Sequence, residues 1–213
     1  MNPADVDHRL RSLADEYLRR KTAAEGQVRR WQWATAPWFD IRPLWLERQN
    51  FRLGRLLKGL PKKLNGKVEV GLDEWDRVVC ERQYNESGFY ETFYDWFATP
   101  IEAAHYDYHS DKSPINIVLT ERHSNQVVRS DTAAINGFLR EDYVWEGPRV
   151  VEVRISHAPR VGREFVDLSP LHVAHAIYGG DEQLDRVELH WPPSPPERPT
   201  PVVEIAYQRH VGA

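Results

Sequence analysis

The sequence predicts an α+β protein in which N-terminal helices pack on an antiparallel β-meander. Apolar residues recur at helical spacing in the opening segment, whereas later runs alternate apolar and polar residues, as half-buried strands do. The turns between those runs are short, which favours pairing of consecutive strands over crossover connections. The pattern leaves open whether the meander stays open or curls into a barrel-like cup.

The opening segment is predicted to be a helix. Asn2 stands at an N-cap position, and Pro3 follows at the first helical position, where a missing N–H costs nothing. One apolar face is formed by Val6, Leu10, Leu13, Tyr17, Ala24, Val28 and Trp31. We expect the helix to end or kink near Gly26.

The remaining chain is predicted to consist mainly of strands. The alternating runs lie near 67–72, 77–84, 88–97, 100–109, 114–122, 126–130, 149–156, 163–167, 185–191 and 202–208. A short helix is predicted after Ser130-Asp131. A second is predicted from Ser169-Pro170 to about Tyr178, because Ser can cap a helix and Pro suits its first turn.

The composition bounds the class of protein. A chain of 213 residues, 41% of them hydrophobic, can bury a core without disulfides or a structural metal. The single cysteine, Cys80, cannot form an internal disulfide or a thiolate zinc cage. No apolar run suggests a signal peptide or a spanning helix, so a cytoplasmic location is expected.

Charge divides the chain into two predicted regions. Residues 1–67 form a basic, Trp-rich helical arm with a net charge of +8. Residues 68–213 form an acidic β-rich body with a net charge of −12, interrupted by a Pro-rich connector at 192–201. Within the arm, residues 42–67 hold eight basic residues against one acid, Glu47, and suggest a short amphipathic helix.

The leading functional hypothesis is a binding or assembly protein whose arm docks to an anionic partner. Basic residues interleaved with tryptophans suit nucleic acid or an acidic protein surface; an anionic membrane surface is less favoured. The predicted binding residues are Arg42, Arg48, Arg52, Arg55, Lys58, Lys62, Lys63, Trp38 and Trp45. The arm could instead mediate self-association or fold back on its own body, and a small-molecule ligand in the body is a further option.

The alternative hypothesis is an enzyme. His105, Asp107 and His109 would share one face of a strand and form a metal-dependent or acid/base centre, with a divalent transition metal as the cofactor. Successive residues on that face are about 7 Å apart, so chelation of one ion would require a bulge or strong twist. His172 and His175 are three residues apart on the helix predicted from Ser169-Pro170 to about Tyr178, and they could complete the centre.

Motifs of several common enzyme classes are absent from the sequence. There is no Gly-x-Ser-x-Gly, Cys-x-x-Cys, Walker or Gly-x-Gly-x-x-Gly pattern. The absence argues against the usual hydrolases, thiol oxidoreductases, nucleotide triphosphatases and dinucleotide-binding enzymes.

Overall fold

The computed structural model describes residues 1–213 apart from 52, 110, 163, 194–199 and 210–213. About half of the chain is in strands and 14% in helices. The strands are β1 (Arg30–Ala34), β2 (Val68–Leu72), β3 (Val78–Tyr84), β4 (Phe89–Asp95), β5 (Ile101–Tyr106), β6 (Pro114–His123), β7 (Gln126–Ala134), β8 (Gly137–Glu146), β9 (Arg149–Val161), β10 (Glu164–Phe165), β11 (Ser169–Tyr178), β12 (Leu184–Trp191) and β13 (Val202–Gln208).

These strands form one antiparallel sheet in nearly sequential order. Each strand from β1 to β9 pairs with the next, β11 to β13 continue from β9, and the short β10 pairs only with β9. Within the described residues β1 and β13 pair with one neighbour each, so the sheet is open. The antiparallel meander is therefore confirmed, whereas a closed barrel is not formed and helices are a minor part of the fold.

Two N-terminal helices cover one face of the sheet. They are α1 (Pro3–Ser12) and α2 (Tyr17–Gln27), joined by a 3₁₀ turn at Leu13–Asp15. Asn2 caps α1, since its side-chain oxygen accepts a hydrogen bond from the Asp5 amide at 2.9 Å. The predicted apolar face is buried against strands β3 to β9 through Val6, Leu10, Leu13 and Ala24. No helix in the described part of the chain is long and apolar enough to cross a membrane.

Residues 35–50, which we term the covering segment, pack on the opposite face. Trp38, Phe39 and Ile41 contact the apolar side chains of β2 to β6. Leu44 contacts a separate apolar cluster on β7 to β13. The segment includes one short helix, α3 (Trp45–Arg48). The N-terminal region therefore contributes to the core on both faces of the sheet.

Three predicted helices are wrong: those within 42–67, after Asp131 and at 169–178. The described residues of 42–67 contain only the four-residue α3, because this chain is anchored to neighbouring backbone. Ser169–Tyr178 is strand β11, held between β9 and β12. Val173 and Ile177 suit a strand, and pairing on both edges outweighs the local N-cap signal.

Other predictions missed strands. The helix expected after Asp131 is the end of β7, and both β1 and β8 were not predicted. In β8 the inward position Glu141 carries a charge, which breaks the apolar alternation by which a strand is recognised. The tryptophans of β1 were interpreted as part of the arm.

Candidate functional site

The last part of the predicted arm, residues 51–67, is named the basic-leucine loop, and most of its described residues are exposed. It holds six Lys or Arg residues and no acid, whereas the rest of the chain has a net charge of −10. Arg55, Lys58, Lys62 and Lys63 are exposed. Within the described residues none of these four forms an ion pair. Their charge is therefore available to a partner.

The loop is anchored at both ends by backbone hydrogen bonds. At its start, the Gly54 amide donates to the Pro37 carbonyl (2.8 Å) and the Leu57 amide donates to the Trp33 carbonyl (2.7 Å). At its end, the Gly66 amide donates to the Tyr84 carbonyl (2.9 Å). A Cβ at Gly54 would collide with the carbonyl oxygen of Ala36, so this close approach requires glycine. Residues 58–63, which we call the tip, lie between these two anchors, and all of them except Pro61 are exposed.

Four other predicted binding residues, Arg42, Arg48, Trp38 and Trp45, pack against other parts of the protein. Arg42 pairs with Asp40 and lies 3.5 Å from the Trp45 ring centroid. Arg48 forms a buried ion pair with Glu141. Trp38 packs against the apolar core. Arg52 lies outside the described residues. The structure therefore separates the predicted set into an outward lysine-rich part and an inward arginine- and tryptophan-rich part.

The second candidate site is a polar row beneath the covering segment. Glu81, Thr92, His105 and Asn116 are register neighbours across β3, β4, β5 and β6, so their side chains share one face. Thr92 Oγ1 and His105 Nδ1 form a hydrogen bond of 2.7 Å. Glu81 and Thr92 are buried, and His105 is half-buried. The row is therefore a polar patch within a largely apolar layer.

The covering segment adds an ion pair to this row. The Asp40 carboxylate accepts two hydrogen bonds of 2.8 Å from the Arg42 guanidinium. Burial disfavours the Asp40 carboxylate, but the charge and hydrogen bonds of Arg42 hold its pKa below the ordinary value. Arg42 is also 3.4 Å from Thr132 Oγ1 on β7. The pair thus holds the Arg42 guanidinium over the sheet.

Two members of the row have pKa values displaced in opposite directions. Burial raises the pKa of Glu81 to about 7. Glu81 Oε1 accepts a 2.6 Å hydrogen bond from Gln83, whereas Oε2 has no partner in the described chain. Burial, together with the Arg42 charge, lowers the pKa of His105 to about 4. Both groups are therefore neutral over much of the acidic range, which is typical of residues in functional sites.

The structure separates the predicted trio. Strand β5 ends at Tyr106, so Asp107 and His109 lie in the following turn rather than on the same strand face as His105. Asp107 accepts a 3.0 Å hydrogen bond from the His109 amide, and the exposed His109 ring contacts Tyr108. In the described part of the chain, no three His, Cys, Asp or Glu side chains are grouped so that they could hold a metal ion.

The predicted pair His172 and His175 is also separated. Both lie on β11, where an odd spacing places them on opposite faces. His172 contacts the Trp191 ring, with 4.1 Å between ring centroids, whereas His175 contacts His190 at 4.5 Å. Neither is grouped with His105.

Part of the polar row was recognisable in the sequence. Residues 81 and 92 sit on predicted strands beside apolar neighbours, and a charged or hydroxyl side chain at an inward position is a signal for a site. Asp40 carries no such signal, since it lies in irregular chain. Its approach to the sheet depends on packing of Phe39 and Ile41.

No protein-family model matches this chain, and no curated protein is significantly similar to it.

Proposed function

We propose that this chain is a binding protein whose basic-leucine loop docks on an anionic partner. The supporting observation is that Arg55, Lys58, Lys62 and Lys63 are exposed on an anchored loop and form no ion pair with the described residues, while the rest of the chain has a net charge of −10. A polyanion would be attracted to the loop and repelled elsewhere, so binding would be oriented. A cytoplasmic location, predicted from composition, belongs to this proposal.

Neutralising the loop is expected to weaken binding to a polyanion. The variant K58Q/K62Q/K63Q should elute from immobilised heparin at lower salt than the wild type. Each lost contact should reduce the slope of log K against log salt by about 1. Elution and the salt dependence of binding are the measurements.

The matched control removes three exposed cations that are already paired. Arg19, Arg30 and Arg154 pair with Glu16, Asp76 and Glu152. The variant R19Q/R30Q/R154Q changes the net charge equally and should elute much closer to the wild type. An equal shift in both variants, or no retention of the wild type at low salt, would contradict the proposal.

A second candidate function is an acid/base site centred on His105. It is supported by the opposite pKa displacements of His105 and Glu81 on one face of the sheet. In this candidate site, the groups beside His105 are the carboxyl groups of Glu81 and Asp40 rather than Asp107 and His109.

This candidate requires that reagents reach His105. Diethyl pyrocarbonate is expected to modify exposed His109 first and half-buried His105 more slowly, without unfolding the chain. Peptide mapping of modified protein gives both rates. If His105 reacts only when circular dichroism shows unfolding, no substrate can reach its ring and the candidate fails.

A further inference from the structure

The basic-leucine loop exposes apolar side chains beside its cations. Leu60, at the tip, is 75% exposed, and Phe51, Leu53, Leu56 and Leu64 are exposed as well. Scattered exposed leucines are ordinary on protein surfaces, but five large apolar residues in fourteen positions without an acid are not. The loop therefore combines two properties, and its partner should match both.

We propose that the partner is a lipid bilayer surface containing anionic headgroups. The inference rests on the proposed function and specifies its partner. Lys58, Lys62 and Lys63 would lie at the headgroup level, and Leu60 between them would enter the boundary with the acyl chains. The negatively charged cytoplasmic leaflet has the required charge.

The structure disfavours nucleic acid because the predicted binding residues Trp38 and Trp45, and also Trp33, are occupied within the protein. Trp33 packs on Tyr84 with 5.4 Å between ring centroids, Trp38 lies against the core, and Trp45 lies beneath Arg42. Stacking on bases requires accessible rings, and the described loop offers one, Phe51, against four exposed leucines. The sequence predicts cations interleaved with tryptophans. At the exposed surface, the cations lie among leucines instead.

Charge and side-chain type also favour lipid over an acidic protein. Buried centres of protein interfaces are enriched in Tyr, Trp and Arg and depleted in Lys. The tip carries Lys58, Lys62 and Lys63 around a single leucine. Lysine keeps a strongly hydrated ammonium on a flexible stem, which suits a fluid layer of phosphate headgroups.

Anchoring of the loop strengthens the argument. The hydrogen bonds of Gly54 and Leu57 at one end, and of Gly66 at the other, fix both ends of the segment that contains the tip. A pre-shaped loop loses less conformational entropy when it docks. Leu60 is already exposed in this structure, so it need not be uncovered by a rearrangement.

The test is sedimentation of the full chain with vesicles. Wild-type protein should bind vesicles of phosphatidylcholine with about 30% phosphatidylserine and bind much less to phosphatidylcholine alone, at about 0.1 M salt. The variant L60S should bind the mixed vesicles about tenfold more weakly because the inserted side chain is lost. K62Q/K63Q should bind about 25-fold more weakly, about fivefold for each charge.

Matched controls separate the loop from general surface effects. Leu18 on α2 is 73% exposed, so L18S removes an equally exposed leucine outside the loop. R19Q/R154Q removes two exposed cations that are paired. Both variants should bind vesicles much as the wild type does. Thermal unfolding of every variant shows whether it is folded.

The outcomes distinguish this inference from the proposed function. If the wild type binds heparin through its lysines but does not bind the mixed vesicles, the lipid inference is overturned and the proposed function stands. If it binds neither, both fail. Equal effects of L60S and L18S on vesicle binding, or lysine-dependent binding to a single-stranded DNA oligonucleotide in preference to vesicles, would also overturn the inference.

Discussion

Replacing Glu81 with glutamine is expected to stabilise the protein at pH 8 by about 3 kcal/mol and to have little effect near pH 4. The reason is the burial of Glu81, which raises its pKa in the folded chain to about 7 from an ordinary value of 4.5. At pH 8 the wild type must therefore either hold an ionised carboxylate in an apolar layer or unfold. Glutamine fills the same space without a proton to lose.

The direction of this stability change follows from the pKa of Glu81 in the folded chain and its ordinary value in the unfolded chain. Between pH 4.5 and 7 the folded state keeps the Glu81 proton that the unfolded state has released. The stability contributed by the protonated group is complete below pH 4.5 and is lost as pH rises through 7. Unfolding free energies from urea titrations between pH 4 and pH 8 measure this slope in wild type and in E81Q.

The contribution of His105 to stability has the opposite pH dependence to that of Glu81. Its pKa is lowered to about 4, so its contribution is complete above pH 6.5 and is lost as pH falls toward 4. Both proteins contain His105, so its contribution cancels to first order in the difference between E81Q and wild type. Exposed Glu146 supplies the control, and E146Q should change stability little at any pH. An E81Q difference that does not grow between pH 5 and pH 8 would contradict the assigned burial of Glu81.

Replacing Arg48 with methionine is expected to destabilise the protein by about 3–5 kcal/mol. The Glu141 side chain is fully buried, and its charge is compensated by Arg48 and by a 2.9 Å hydrogen bond from the Tyr143 hydroxyl. Removing the guanidinium leaves a buried carboxylate with one neutral partner. Because Arg48 is on α3 and Glu141 on β8, the loss also loosens the covering segment from the sheet.

A double replacement distinguishes charge from packing. R48M/E141Q removes both charges and should recover much of the stability lost in R48M, as measured by urea unfolding at pH 7. The exposed pair of Arg154 and Glu152 is the control, and R154M should cost less than about 1 kcal/mol. If R48M matches R154M, or if adding E141Q gives no recovery, the buried pair does not connect the covering segment to the sheet.

The candidate site was only partly predictable because its residues come from distant parts of the chain. His105 was identified from its strand, but Asp107 and His109 were grouped with it on the assumption that the strand continues, whereas β5 ends at Tyr106. The residues that do lie near His105 include Asp40, 65 positions earlier. No local spacing connects two such positions.

The binding residues show the same limit. Basic and aromatic residues in 38–63 predicted a docking arm, but local sequence does not distinguish a cation that faces solvent from one that faces a buried acid. Arg48 meets Glu141, 93 positions away, whereas Lys62 meets no acid in the described chain. The sequence therefore showed the basic and aromatic composition of the arm, but not which of its residues face solvent and which face the protein interior.

The antiparallel meander, the capped N-terminal helix and the asymmetry of charge are determined by the sequence alone. They depend on spacings of two to four residues and on composition, which are properties of the chain itself. The folded structure decided that Ser169–Tyr178 is a strand, that the sheet stays open, and that leucines rather than tryptophans accompany the exposed lysines. Each of these depends on contacts between residues far apart in the chain, because burial and pairing outweigh local preferences of a few tenths of a kcal/mol per residue.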